Sequence, residues 1–231
     1  MGKPTYPDSI VIRNDYYPSG LTQGMVWDHY TKYKSKILKE VRKKPIILFI
    51  FVQESVSIVR RFYNYNLIKL TKKNFDKVIN GRTVSISSEQ PSNTLDYFCV
   101  DIDPPGHLAN DENDLKECVS DILDVYGNLS MVKKVRVTNS GRSYHVYGYL
   151  NKPMKGSSAI RFLSKTLQYN VRGKYSINSR RGGKVKINLD FTPMYLRGSH
   201  TVPWSLCRNG LMCKDITKTF ESFRRESAVI R

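Results

Sequence analysis

Apolar residues recur along the chain with two different periods, and the changes of period mark the elements. Between residues 24 and 41, Val26, Tyr30, Tyr33, Ile37 and Val41 fall on one stripe. That spacing predicts a helix whose other faces carry Lys32, Lys34, Lys36 and Lys39. Pro45 closes it, and the apolar run to Val52 (PIILFIFV) reads as a buried strand. The stretch 54–70 fits neither period; 72–80 predicts a short helix capped by Gly81, and 83–88 (TVSISS) alternates as a strand.

The second half reads more clearly. Residues 96–103 (DYFCVDID) form an expected strand stopped by Pro104 and Pro105. Leu115, Val119, Ile122 and Tyr126 predict a helix over 112–126 with Gly127 as its C-cap. Two strands, 131–138 and 144–150, flank the loop NSGRS; Ser157 is expected to cap a helix bearing Ile160, Leu163 and Leu167. Residues 184–190 (KVKINLD) alternate as a last strand. The order strand–helix–strand–strand–helix–strand predicts an α/β fold, a sheet backed by helices on one face.

Composition adds the partner. Lys and Arg number 38 against 20 Asp and Glu in 231 residues, a formal net charge of +18. Such a surplus predicts attraction to polyanions, nucleic acid ahead of an anionic membrane. No membrane role is expected, because the run 45–52 is less than half of the roughly 20 apolar residues a spanning helix needs. The N-terminus lacks a secretory h-region, and Cys99, Cys118, Cys207 and Cys213 contain no C-x-x-C pair. Reduced thiols and a cytoplasmic location are therefore expected. His200, Cys207 and Cys213 lack a fourth ligand nearby, which argues against zinc.

Strand parity then gathers the chemistry. Phe98, Val100 and Ile102 share one face, and Cys99, Asp101 and Asp103 the other. By the same rule His145, Tyr147 and Tyr149 oppose Val146 and Leu150; Lys134, Arg136 and Thr138 oppose Val135 and Val137. Lys184, Lys186, Asn188 and Asp190 oppose Val185, Ile187 and Leu189. If helices cover the apolar face, Asp101, Asp103, Asp190 and His145 collect on the other. Asp101 and Asp103 stand roughly 7 Å apart at Cα and repel unless a proton or cation intervenes. A pair of divalent ions on hard oxygen ligands meets that need, and such sites serve phosphoryl transfer. The loop Ser140-Gly141-Arg142-Ser143 offers backbone N–H groups, hydroxyls and a guanidinium suited to a triphosphate, although a plain hairpin turn would look the same.

The runs DYFCVDIDPP, NSGRSYHVYGYL and INLDF, followed by RGSHTVPWSLCRNG, resemble the motifs of the archaeo-eukaryotic primase superfamily. DIDPP and the N-terminal YYPSGLTQGMVWDHY are similar to the polymerase domain associated with bacterial and archaeal end-joining ligases. The resemblance spans most of residues 15–215. It departs at Thr22-Gln23-Gly24, where that branch has Thr-Lys-Gly, and at Pro193, where it has arginine.

The resemblance implies a primase-polymerase core, an RRM-like antiparallel or mixed sheet backed by helices, over 91–231, with an N-terminal α/β module over 1–90 packed on it. It implies a template-directed nucleotidyltransferase, a DNA primase or polymerase, working in replication priming or DNA repair. Asp101, Asp103 and Asp190 match the carboxylates that hold two Mg²⁺ or Mn²⁺ ions. Ser140, Gly141, Arg142 and His145 match the nucleotide-phosphate site, and Arg208 approximates a triphosphate-contacting arginine. Nucleoside triphosphates, ribo or deoxyribo, are the implied substrates, and a template-primer or single-stranded DNA the partner. A separately encoded helicase or ligase is a further expected partner. The charge runs add Lys43, Lys44, Arg180, Arg181 and Lys184 as DNA-binding candidates. A metal-dependent nuclease and a non-catalytic nucleic-acid-binding domain are the alternatives from other classes.

Overall fold

In the computed structural model, residues 9–42, 44–52, 55–60, 62–63, 66–90, 92–105, 112–142, 144–177 and 186–230 are described. The chain divides into a first unit of Met1–Glu89, His200–Lys214 and Arg224–Arg231, and a second of Gln90–Ser199 and Asp215–Phe223. The two late segments thus fall in the first unit.

In the first unit, β1 (Ile10–Asn14) and β2 (Tyr17–Thr22) pair antiparallel and lead into α1 (Gln23–Val41). Thr22 starts the helix: its backbone is extended and its hydroxyl accepts from the Met25 N–H at 3.3 Å. The stripe Val26, Tyr30, Ile37 and Val41 is fully buried. β3 (Ile46–Val52) pairs antiparallel with β4 (Ser55–Arg60) on one side and β7 (Thr83–Glu89) on the other. A short strand from late in the chain, Ser199–Thr201, extends this sheet beyond β7. Part of the ambiguous stretch becomes the small ribbon β5 (Phe62–Tyr63) and β6 (Asn66–Leu67). The helix expected over 72–80 shortens to α2 (Phe75–Val78), ended by Ile79 and not Gly81. Its first residues are held instead as a turn, with Asn74 Oδ1 accepting from the Thr71 N–H and hydroxyl.

The second unit carries β8 (Thr94–Asp103), α3 (Glu112–Gly127), β9 (Val132–Asn139), β10 (Tyr144–Lys155), α4 (Gly156–Asn170), β11 (Ser176–Ile177) and β12 (Asn188–Asp190). Its sheet runs β11-β12-β8-β10-β9, antiparallel throughout except for the parallel β11–β12 pair. This is the mixed, helix-backed α/β sheet that the order of elements predicts. Leu115, Val119, Ile122 and Tyr126 of α3 and Ala159, Leu163 and Leu167 of α4 are buried, as are Phe98, Val100 and Ile102 on β8. Phe98 stacks on Phe162 of α4 at 5.9 Å between centroids. Gly127 proves to be the last helical residue, and Ser157 lies inside α4, behind Lys155 at the N-cap. Of the strand expected over 184–190, 188–190 is strand in the structure; Arg180, Arg181 and Lys184 lie outside the described residues. Among the described residues no helix is long and apolar enough to cross a membrane.

One close approach explains a glycine. A Cβ at Gly148 would stand 3.0 Å from Cδ2 of the buried Tyr126 ring, so any side chain there would have to push the ring aside by a few tenths of an ångström. Gly148→Ala should cost about 1–3 kcal/mol as an overpacking change, read by urea unfolding; an unchanged midpoint would refute the close contact.

His29 on α1 is 5% exposed and its Nε2 donates to the Trp204 carbonyl at 2.8 Å. Burial, opposed by that hydrogen bond and aided by Lys32, lowers its pKa from the ordinary 6.5 to about 4. Between those values the unfolded chain takes up a proton that the folded chain refuses, so stability is lost as pH falls. Wild type should therefore weaken relative to His29→Gln from pH 6.5 down to about 4, by a few kcal/mol at most. Urea midpoints across that range check this, and parallel curves would contradict it.

Candidate active site

Register turns the parity argument into a line of side chains. Asp190 on β12 pairs with Asp101 on β8, Asp101 with His145 on β10, and His145 with Thr138 on β9. These residues form one straight row across the sheet, on the face away from the helices. One rung further along, Asn188 stands opposite Asp103. In the other direction lie Cys99, Tyr147 and Arg136, then Tyr97, Tyr149 and Lys134.

The face is not equally open along its length. Cys99, Tyr97 and Tyr147 are buried, whereas the Asp101 side chain is 24% exposed. The 3₁₀ turn Thr192–Met194 packs against β8, with Pro193 and Met194 buried. Asp101, Asp103 and Asp190 are thus half-buried, while His145, Thr138 and Asn188 beside them are buried.

The carboxyl groups at this end of the face act on one another. Burial, and then the negative charges of Asp101 and Asp190, push the Asp103 carboxyl from the ordinary 3.8 up to about 8, against the opposing pull of His145. His145 Nε2 lies 3.3 Å from Asp101 Oδ1, with the His145 side chain 4% exposed. Asp190 Oδ1 accepts from both the N–H and the hydroxyl of Thr192, each at 2.8 Å. This is an Asx turn, and it fixes the Asp190 side chain where the strand ends. Asp101, Asp103 and Asp190 are the residues that could hold a hard cation, since their donor set is all oxygen and a cation would offset both the burial and the neighbouring negative charges that raise the Asp103 carboxyl. Among the described residues, no three His, Cys, Asp or Glu side chains already converge on a single ion position.

The loop after β9 lies at the same end of the sheet. Tyr144 pairs with Asn139 and with Ile102, so Ser140, Gly141 and Arg142 begin at the rung beside Asp103. Gly141 has φ +94°, a left-handed conformation that glycine adopts without strain, and Arg142 is exposed. Ser143 lies outside the described residues. Arg208 belongs to the first unit, with its guanidinium 4.3 Å above the Phe49 ring. Lys44 follows the end of α1, where its N–H donates to Val41 O. Lys43 lies outside the described residues, together with Arg180, Arg181 and Lys184. Lys174 is engaged with Asp121 at 3.0 Å and Glu117 at 3.3 Å.

Three members of this neighbourhood were not among the expected site residues. Thr138 ends the row and is fully buried, Asn188 faces Asp103, and Thr192 holds Asp190. Thr192 had a local signal, since Asp-x-Thr before proline is an Asx-turn pattern. Asn188 and Thr138 had only their parity.

No protein-family model matches the chain, and no curated protein matches it in sequence. Among solved structures it is similar to the polymerase domain from Mycobacterium tuberculosis Ligase D in complex with DNA, with a TM-score of 0.70 and 13% identity. The match covers 100% of this chain and 90% of that one, and it is a likeness of fold.

The raised Asp103 carboxyl has a measurable sign. In a chelating buffer, the unfolded carboxylate ionises near 3.8 while the folded one keeps its proton to about 8. Wild type should lose stability relative to Asp103→Asn as pH rises through that interval, and the difference should level off above it. Near neutral pH, Mg²⁺ or Mn²⁺ should raise the melting temperature of wild type and not of Asp103→Asn. Parallel pH curves for the two proteins would refute the raised Asp103 carboxyl, whether burial or its acidic neighbours raise it.

Proposed function

We propose that this chain is a template-directed nucleotidyltransferase, a DNA primase or polymerase that adds nucleotides to a 3′-OH on DNA in priming or repair. The observation that carries the reading is the row Asp190–Asp101–His145 with Asp103 one rung on, set on a fold similar to a polymerase domain. A mere solvated strand end would not bring three carboxylates from two strands onto one face. The net charge of +18 supports DNA as partner, as does the DNA bound in the Ligase D domain structure.

In this reading Asp101, Asp103 and Asp190 hold two divalent ions, Mg²⁺ or Mn²⁺. When bound, such ions lower the pKa of the primer hydroxyl and neutralise the departing pyrophosphate. The remaining work falls to the chain's own groups. Asp101 orients the His145 ring, which is then fixed where charge builds on the phosphates. Ser140 and Arg142 supply a hydroxyl and a guanidinium for the triphosphate, and the left-handed Gly141 bends the loop so that its N–H groups can turn to the same anion. The site residues of this reading all lie in the second unit, while the net charge belongs to the whole chain.

The test is incubation of the purified chain with labelled nucleotides, Mn²⁺ or Mg²⁺ and a primed or single-stranded template. Wild type should extend the strand. Asp101→Asn and Asp103→Asn should reduce incorporation to background while binding DNA as well as wild type or slightly better, because Asp101→Asn removes an anion from a phosphate site and Asp103→Asn replaces a carboxyl that without metal keeps its proton to about 8. Undiminished incorporation by the double variant would overturn the assignment of the carboxylates. Strand cleavage without incorporation would replace the reading with a metal-dependent nuclease.

A further inference from the structure

We propose that Tyr33 and Trp204, flanked by Lys32 and Lys36, form a stacking platform for single-stranded nucleic acid in the first unit. The inference does not depend on the carboxylate row of the second unit.

On α1, His29, Tyr33 and Lys36 follow one another at helical spacing, with Lys32 beside them. Trp204 is brought to this stripe by the returning segment 200–214. Its ring stacks on Tyr33 with centroids 5.2 Å apart and planes at 19°, and His29 lies 4.9 Å from the same Tyr33 ring. Lys36 Nζ stands 3.8 Å over the Trp204 ring and 5.4 Å from Tyr33, while Lys32 Nζ is 5.6 Å from Tyr33.

Two observations separate this group from ordinary core packing. Trp204 has φ +72°, a conformation that bulky residues rarely adopt. It is kept there from both sides, its N–H donating to the Cys213 carbonyl at 2.7 Å and its carbonyl accepting from His29 at 2.8 Å. Strain of this kind concentrates where a side chain must be presented in a set direction. The rings so held are only half-buried, and the ammonium groups over them are exposed. The second observation is charge. Lys34 on the same helix is neutralised by Asp76 at 2.7 Å, whereas Lys32 and Lys36 form no ion pair among the described residues.

Half-buried aromatic rings with exposed ammonium groups over them match the two parts of a single strand, unstacked bases and phosphates. An acidic peptide would use the lysines and leave the rings idle. A duplex keeps its bases stacked inside.

The chain holds two tryptophans, and Trp27 is buried. In a Trp27→Phe background the emission therefore reports Trp204 alone. Titration with a thymidine oligonucleotide, without nucleotide or divalent ion, should quench this emission saturably. A duplex of equal length and poly-glutamate should leave it unchanged. Lys32→Ala with Lys36→Ala alters only exposed groups and should flatten the log–log salt slope of binding by about 1.4, at roughly 0.7 per phosphate. Tyr33→Ala should weaken binding roughly fivefold to a hundredfold, the range for loss of one stacked base. Binding seen by oligonucleotide anisotropy with no change in Trp204 emission would overturn the platform, as would equal quenching by duplex or poly-glutamate. Asp101→Asn should quench like wild type. Quenching without nucleotide incorporation by wild type would support the platform and count against the enzymatic reading; incorporation without quenching would do the reverse.

Discussion

Like charges forced onto one face of a sheet must be compensated, and in this chain that requirement shapes the second unit. Pairing places Asp190, Asp101 and His145 in a line, with Asp103 on the next rung. The strands cannot slip to relieve the crowding, because the opposite faces of β8 and β10 carry Phe98, Val100, Ile102 and Val146, all buried under helices. A slip of one residue would exchange the carboxylates with the core. The apolar side of the sheet thus holds the anions together against their repulsion.

The same coupling explains which parts of the structure were legible in the sequence. An antiparallel sheet with one face buried leaves little freedom of register, so counting residues was enough to put Asp101, Asp103, Asp190 and His145 on a common face. Ends of elements were less legible, since they depend on competing local hydrogen bonds. Asn74 and Thr71 bind each other and shorten the helix expected from residue 72, and α4 begins at Gly156 without help from Ser157. Least legible were features made by distant segments. Nothing near Trp204 in the sequence announces its left-handed backbone, its partner Tyr33 or the return of 200–214 to the first unit.

Charge is also distributed by function within the chain. The overall balance is +18, yet α3 begins with Glu112 and Asp114, and the row and the rung beside it contribute Asp101, Asp190 and Asp103. Some cations of the second unit are consumed locally, Arg136 by Asp215 at 2.9 Å and Lys174 by Asp121 and Glu117. Counting basic residues therefore overstates the charge available to a polyanion. Exposure and ion pairing decide which cations can release counterions, and on that measure Lys32 and Lys36 differ from Lys34.

The shortness of β12 has a consequence for how the site is lost. Asp190 sits at the last position of a three-residue strand that meets β8 at three register positions, whereas β8 and β10 run ten and twelve residues. Local opening starts where few ladder bonds hold an element. Amides of 188–190 should accordingly exchange with solvent through small fluctuations, while the β8–β10 ladder exchanges only with the whole unit. Under mild denaturant or warming, the carboxylate set would come apart one strand at a time, from its short side, in a molecule whose core is still intact.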